Sequence, residues 1–478
     1  MKRYLFGFLL LCLFLPYFQK LSGIVNLKPL EGAYEKQDYP ELTMDGWFDQ
    51  SYQLNYAQYH SDYLGFRELF IRCYHQMYYT LFHQTKANTC VVGKENQLFL
   101  DHYISAYTGA DFIGESEINF KIDRLKYIQD YLSFKGIDLI TVLAPGKGSF
   151  YPEYIPDKYL MDKNANTNYS FYQKGMASLG MNFIDLNDHF KQIKNKTKYP
   201  LYPEKGGHWT EYGMYLAMDS IVRYIENKRN IDAPDIVLEN VVMSADMRDP
   251  DDDIEKIMNL YQTIPTKEMP YVDLSFKTEG KVKPKVLVIS DSYFWQAIMK
   301  NIPQTVFDFD NSFWYYFNTV ALIDKPVSEL NLEQEVLKYD VVLLISTDGT
   351  LERFPFGVEH RMYDVFRSQD RYVGQKFFRR AMQNNADWYG DIIRKAEENN
   401  VTIEQQLDDE SNYMAEETIK NLSAEEQEIV AMIHKIKSTP EWFNSVSQKA
   451  KELNIHIDLM CYLDAVYVIE SQKNKPEN

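Results

Sequence analysis

Val286-Leu287-Val288-Ile289-Ser290-Asp291-Ser292-Tyr293-Phe294 is the stretch on which the fold turns. An apolar strand runs straight into Asp-Ser, which puts Ser292 on a strand-to-helix turn at the edge of a sheet. A serine hydroxyl is exposed there, and nearby backbone N–H groups can form an oxyanion hole. A serine that caps the following helix fits the same residues.

Outward from this stretch, apolar runs and helix-periodic segments alternate. Residues 117–135 carry Ile118, Ile122, Leu125, Ile128 and Leu132 on one helical face. The continuous run from Ile137 to Leu143 ends at Ala144-Pro145-Gly146, as a buried parallel strand does. A helix is predicted within 165–179, a short strand from Asn182 to Leu186, a helix from Tyr212 to Tyr224 and a strand from Val341 to Ile345. This alternation predicts an α/β domain with a mostly parallel sheet, its site at the carboxyl ends of the strands. Earlier, Val91 to Phe99 reads as strand, turn and strand, with Gly93 and Asn96 supplying the turn.

A second chemical candidate lies in Gly206-Gly207-His208-Trp209-Thr210, just before the helix at Tyr212. A histidine on a glycine-rich loop that opens a helix can face a cleft, or can help to cap that helix. Ser292 needs a base, and both segments fall where this fold class places its site. The acidic run Asp249, Asp251, Asp252, Asp253 and Glu255 invites a calcium reading. It lacks the turn glycine and the distal glutamate of an EF-hand, so a solvated loop is expected. Asp253 then stands near the start of a helix from Ile254 to Tyr261.

The 478 residues carry 51 Lys+Arg against 69 Asp+Glu, a net charge of −18. Such a chain lacks the basic stripe that phosphate backbones require, so a nucleic-acid partner is excluded. Aromatic residues make up 15% of it, with 37 Tyr. Compositional bias explains most of this, and Trp209, beside the candidate base, is the one ring singled out to stack on a sugar.

Residues 1–23 read as an export segment. Lys2 and Arg3 precede an apolar run from Tyr4 to Phe18, and Lys20 closes it. A cleaved signal peptide and an uncleaved anchor through residues 4–18 in the inner membrane both fit, and either places the body in the periplasm. Of the four cysteines, Cys12 lies in this segment and Cys73, Cys90 and Cys461 follow. One Cys73–Cys90 bridge is open; a disulfide framework, a metal site and a cofactor are not expected.

Residues 24–84 form a Tyr-rich elaboration, including Tyr34 and a helix from Ser61, and 85–350 form the α/β domain. The segment 351–478 is helical and internally repeated. Asp387-Trp388-Tyr389, Ile392, Lys395-Ala396, Asn400 and Ile403 recur 54 positions later as Glu441-Trp442-Phe443, Val446, Lys449-Ala450, Asn454 and Ile457. Tyr413 and Tyr467 keep the same offset. Each copy is expected to form a helical hairpin with its Trp in the core.

Four segments in order resemble the alginate O-acetyltransferase family of SGNH-hydrolase-like proteins, over about Tyr56 to Thr350. Val92-Gly93-Lys94-Glu95-Asn96-Gln97-Leu98-Phe99 is similar to the family's entry motif. Ala144-Pro145-Gly146-Lys147 with Tyr151-Pro152-Glu153 and Pro156 resembles its Pro-x-Lys…Tyr-Pro-Glu…Pro stretch. Gly206-x-His208-Trp209 and Ser290-Asp291-Ser292 stand where it carries Asp-x-His-Trp and the nucleophile block.

The resemblance implies a three-layer α/β/α domain with His before Ser, and acetyl transfer through Ser292 to a hydroxyl of a cell-surface or exported polysaccharide. His208 is the implied base, and a separately encoded membrane-bound O-acyltransferase is the implied partner on the donor side. Lys147, Tyr151 and Trp209 are the substrate-binding candidates. The family's acid is Gly206 here, and glycine cannot orient an imidazole. A backbone carbonyl could do so, or a carboxylate from elsewhere, with Glu204, Asp291 and Asp348 the candidates; otherwise the site is degenerate and the chain is a glycan-binding or scaffold subunit. A carbohydrate acetylesterase, with water replacing the sugar hydroxyl, uses the same acyl-enzyme. Ser290 replaces the first glycine of the nucleophile block and bears on the oxyanion hole.

Overall fold

The computed structural model describes residues 2–32, 35–366, 378–379, 382–383 and 386–473. Met1 of the export segment, Tyr34 of the Tyr-rich stretch and parts of 351–478 lie outside the described residues.

A short hairpin, β1 (Cys90–Val92) and β2 (Leu98–Leu100), opens the α/β domain. Its turn needs a glycine: a Cβ on Gly93 would stand 2.6 Å from the Phe99 ring and from the Tyr154 carbonyl oxygen. The strands β3 (Asp138–Ala144) and β4 (Phe183–Asp185) follow. Next comes an antiparallel pair that the alternation did not reveal, β5 (Asp235–Ser244) with β6 (Met269–Lys277). Then come β7 (Val286–Ser290), β8 (Phe313–Tyr315), β9 (Thr319–Val320), β10 (Lys325–Pro326) and β11 (Val341–Thr347).

The central sheet has the order β10-β9-β8-β7-β11-β3-β4. It is parallel from β8 to β4 and antiparallel only at the β8–β9 and β9–β10 edge. Alternation along the strands builds two cores. Val286, Val288, Val341, Leu343 and Ile345 face the helices Leu186–Ile193, Glu211–Arg229 and Trp295–Met299. Leu287, Ile289, Val342 and Leu344 face Glu115–Phe134, Asn168–Ser178 and Val358–Phe366. The result is a three-layer α/β/α arrangement around a mostly parallel sheet. The register pairs Ile345 with Ser290 and Thr347 with Ala144, so the carboxyl ends of β7, β11 and β3 reach one rim.

Among the described residues from 386 onward there are five helices: Ala386–Asn399, Ile403–Lys420, Ala424–Ser438, Pro440–Leu453 and Ile457–Lys473. Trp388 packs with Ile392 and Leu407 in the first pair. Trp442 packs in the second cluster and donates its indole N–H to Asp464 at 2.9 Å. Charge and backbone join this region to the sheet domain. The buried Lys126 ammonium contacts Asp130 at 2.6 Å and the Asn454 carbonyl at 2.7 Å, while Asp130 accepts the His456 N–H at 2.6 Å.

At the other end, Lys2–Ser22 forms a 21-residue helix with no buried residue. It is long and apolar enough to cross a membrane. The helix expected from Ser61 is two helices, Ser51–Asp62 and Arg67–Phe82. They break because Phe66 takes a left-handed backbone (φ 58°) beside Gly65. The cysteines are free thiols, Cys73 exposed and Cys90 buried, so the Cys73–Cys90 bridge is not formed.

Leu343, in the interior strand β11, is wholly buried. Leu343→Ala is expected to cost about 2–5 kcal/mol through lost transfer energy and the cavity left behind. Val282→Ala, at a half-exposed surface position, should change stability by less than about 0.5 kcal/mol. Urea denaturation midpoints of the two variants check both.

Candidate active site

Ser292 begins a short 3₁₀ turn directly after β7, with Asp291 as its cap. Asp291 fixes that corner. One carboxylate oxygen accepts the Tyr293 N–H at 3.1 Å. The other accepts the Thr347 N–H at 2.8 Å, the Thr347 hydroxyl at 3.0 Å and the Thr350 hydroxyl at 2.8 Å. It therefore ties the end of β7 to the end of β11 and is fully occupied in doing so.

His208 lies on the loop before the helix Glu211–Arg229, which Thr210 caps by accepting the Gly213 N–H. Two groups hold this loop from beneath. The Tyr293 hydroxyl donates to the Gly207 carbonyl at 2.8 Å, and Lys147 donates to the carbonyls of Glu204 and Gly206 at 2.8 and 2.9 Å. His208 Nε2 then stands 2.9 Å from Ser292 Oγ.

The other imidazole nitrogen, Nδ1, meets Asp253 Oδ2 at 2.8 Å. The second oxygen of Asp253 accepts the Gly207 N–H at 2.8 Å. Ser292, His208 and Asp253 thus form one continuous hydrogen-bonded chain. With Asp253 ionised, Nδ1 carries the proton and Nε2 presents its lone pair to the serine. Burial alone would lower the His208 pKa. The Asp253 bond and the charges of Asp253, Asp291 and Asp249 outweigh burial and hold it above the ordinary imidazole value.

Asp253 comes from the acidic run, as the first residue of the helix Asp253–Met258. That run is not a solvated loop throughout. Asp251 is buried, and burial pushes its carboxyl up to about 7. Glu255 is buried against Lys205 at 2.7 Å. The same loop explains the glycine at 206. A Cβ there would lie 2.6 Å from the Pro250 carbonyl oxygen and 2.8 Å from the Asp251 carbonyl. The backbone that delivers Asp253 fills the space an aspartate at 206 would need. Among the described residues, no group of three His, Cys, Asp or Glu side chains could hold a metal ion.

The three carboxylates anticipated as replacement acids do not meet His208. Asp291 is committed to β11. Glu204 points to Lys267, 2.7 Å away. Asp348 is buried beside Asn187 at 3.3 Å, and burial raises its pKa. Sequence separation hides the role of Asp253, which stands 45 positions after His208. The available signal was the demand for an acid created by Gly206, set beside the densest acidic run in the chain.

Of the anticipated substrate-binding residues, Trp209 and Lys147 are buried and Tyr151 is half-buried. Trp209 is only 3% exposed, packed 4.8 Å from the Tyr293 ring and 6.1 Å from Phe190, so it offers no face to a sugar. Lys147 is wholly buried under the histidine loop, and burial lowers its ammonium to about 7. Tyr151 is half-buried among Phe150, Tyr154 and Tyr202. Ser290 is buried, and its hydroxyl has no partner among the described residues.

Among curated proteins none matches this sequence. In solved structures, the O-acetyltransferase domain of Pseudomonas putida AlgJ aligns at 14% identity over 55% of this chain and 92% of its own, with TM-score 0.38. Pseudomonas aeruginosa AlgX aligns at 12% over 57% and 67%, with TM-score 0.38. Bacillus cereus PatB1 aligns at 14% over 50% and 91%, with TM-score 0.32. The family model of the SGNH hydrolase-like domain of acetyltransferase AlgX matches residues 90–254, a span that holds Gly206, His208 and Asp253 and stops before Ser292. Over those residues the chain carries the sequence pattern of the SGNH hydrolase-like domain of AlgX-type acetyltransferases.

Proposed function

We propose that this protein is an extracytoplasmic O-acetyltransferase that uses Ser292 as nucleophile, His208 as general base and Asp253 as the acid that orients it. The observation that carries this reading is the unbroken chain from Asp253 to His208 to Ser292, with separations of 2.8 and 2.9 Å. A helix-capping serine or histidine has no need of such a chain.

In the proposed cycle, Ser292 Oγ attacks the carbonyl carbon of an acetyl donor while His208 Nε2 takes its proton. The Ser292 N–H heads the turn and is suited to hold the tetrahedral oxyanion, whereas the Tyr293 N–H is already taken by Asp291. Collapse of the intermediate expels the donor's leaving group with the proton from His208 and leaves acetyl-Ser292. A sugar hydroxyl then gives its proton to His208 and attacks the acetyl carbon. The products are the O-acetylated saccharide and free Ser292. The acetyltransferase family match supports a polysaccharide acceptor. The apolar helix Lys2–Ser22 supports a periplasmic location, anchored or released, and a membrane-bound O-acyltransferase fits as the source of the acetyl group.

Ser292→Ala and His208→Ala should each abolish turnover of a chromogenic acetyl ester; unchanged turnover in either variant sinks the reading. Acetyl groups appearing on an added oligosaccharide mark transfer, whereas release only to water marks an esterase.

Turnover should rise with pH through a midpoint above about 6.5, because the base must be neutral and its pKa is raised. Asp253→Asn removes the largest raising influences and leaves the burial, opposed only by the charges of Asp291 and Asp249. The midpoint should therefore fall, and turnover should drop by roughly 10⁴. The raised pKa also stabilises the fold below about pH 6.5 and ceases to do so as pH rises through the folded value. Denaturation midpoints should therefore separate Asp253→Asn from the native chain more at acid than at alkaline pH.

Gly206→Asp restores the family's acid on paper. It should fail to rescue Asp253→Asn, and should lower turnover in the native background, because its Cβ collides with the Pro250–Asp251 backbone. Recovery of ester turnover in the double variant would show that the acid can act from position 206.

A further inference from the structure

We propose that residues 39–82 form a collar that lies on the lipid surface of the bilayer crossed by Lys2–Ser22. At 1.5 Å per residue that helix is about 30 Å long, the thickness of a bilayer's hydrocarbon core. Lys2 and Arg3 hold one end on the inner side, so Tyr17 to Ser22 lie at the outer boundary. There the helix is seated against the turn between Ser51–Asp62 and Arg67–Phe82. A Cβ on Gly65 would fall 1.9 Å from the Pro16 carbonyl oxygen, so the two backbones touch. Gln19 accepts the Phe66 N–H at 3.1 Å, and the Lys20 ammonium lies 5.4 Å above the Tyr59 ring. This turn is therefore held at the level of the lipid headgroups.

The two helices beside it are built like interfacial elements. Ser51–Asp62 buries only Asp62, and Arg67–Phe82 buries no residue fully. Phe48, Leu54 and Leu81 are 75%, 69% and 65% exposed, and Trp47, Phe70 and Phe82 are about half exposed. Patches of this kind mark a protein or membrane contact. Continuity with the apolar helix and the kind of side chain both favour lipid. Tyr52, Tyr56, Tyr59 and Tyr63 follow helical spacing, with Tyr52 on Tyr56 at 5.7 Å and Tyr59 on Tyr63 at 4.6 Å. Rings with an apolar body and a polar tip suit the headgroup boundary, where each hydroxyl stays wet. A dry protein groove would have to supply every hydroxyl with a partner.

The collar also reaches the candidate site. His75 Nδ1 meets the Met258 carbonyl at 2.7 Å, and Asn259 exchanges bonds of 2.8 and 3.0 Å with the backbone of Glu31, ahead of the collar. Both grip the end of the helix that begins at Asp253. A collar resting on lipid thereby sets the height of the site above the bilayer.

The test uses the full chain in nanodiscs of phosphatidylcholine brominated near the headgroup end of the acyl chains, comparing the native protein with Trp47→Phe. The native chain should lose a larger fraction of its tryptophan emission than the variant, because Trp47 is the collar's only tryptophan. Equal fractional quenching overturns the proposal. So does quenching of Trp47 that appears only after a second membrane protein is added, which would make the collar a protein-docking face.

Discussion

The Asp253 carboxylate holds two things at once. One oxygen fixes the Gly207 backbone and the other fixes the His208 ring, so the loop and the imidazole are set by the same group. That double contact requires the backbone at 250–251 to press against residue 206, and only a glycine permits the approach. The site is thus a solution to one steric constraint. The acid could not enter beside the histidine, so a loop enters from the far side and brings the acid with it. Lys147 and Tyr293 complete the arrangement by gripping the carbonyls of the same loop from beneath.

Much of the fold was legible in the sequence. The runs at Ile137–Leu143, Val286–Ile289 and Val341–Ile345 are buried on both faces, and a strand in that position leaves an unbroken apolar signature. The short strands β8 to β10 and the β5–β6 pair were not visible. They lie at an edge or outside the sheet, where alternation is weak and turns set the geometry. For the site, Ser292 and His208 could be read because each sits on a recognisable turn. Asp253 could not, because the local reading of an acidic run at a helix start is a capped, solvated helix. Which single carboxylate turns inward is decided by tertiary contacts that no spacing rule carries. The burial of Trp209 and Lys147 escapes the sequence for the converse reason. Residues that flank a catalytic motif can support it from behind, and the motif alone does not say which side they occupy.

The support of the site runs well beyond its own domain. The helix bearing Asp253 is held at its far end by Asn259 and Met258, which bond to residues 31 and 75 of the N-terminal region. Asp291 performs the matching task on the serine side by joining β7 to β11. Serine and acid are therefore referenced to different parts of the chain, the sheet for one and the N-terminal region for the other. The histidine loop is where the two frames meet.

The joint at Lys126 and Asp130 has an asymmetry of its own. The two residues sit one turn apart on a helix, and in water such a pair contributes little. Asn454 and His456 enclose it and give each charge a backbone partner. If the enclosing helices were absent, the pair would return to solvent and these charges would lose little. With the cover in place, replacing either residue alone strands the other in a dry site, at a cost of several kcal/mol. The joint therefore tolerates wholesale loss better than piecemeal change, and any drift in its sequence has to be concerted.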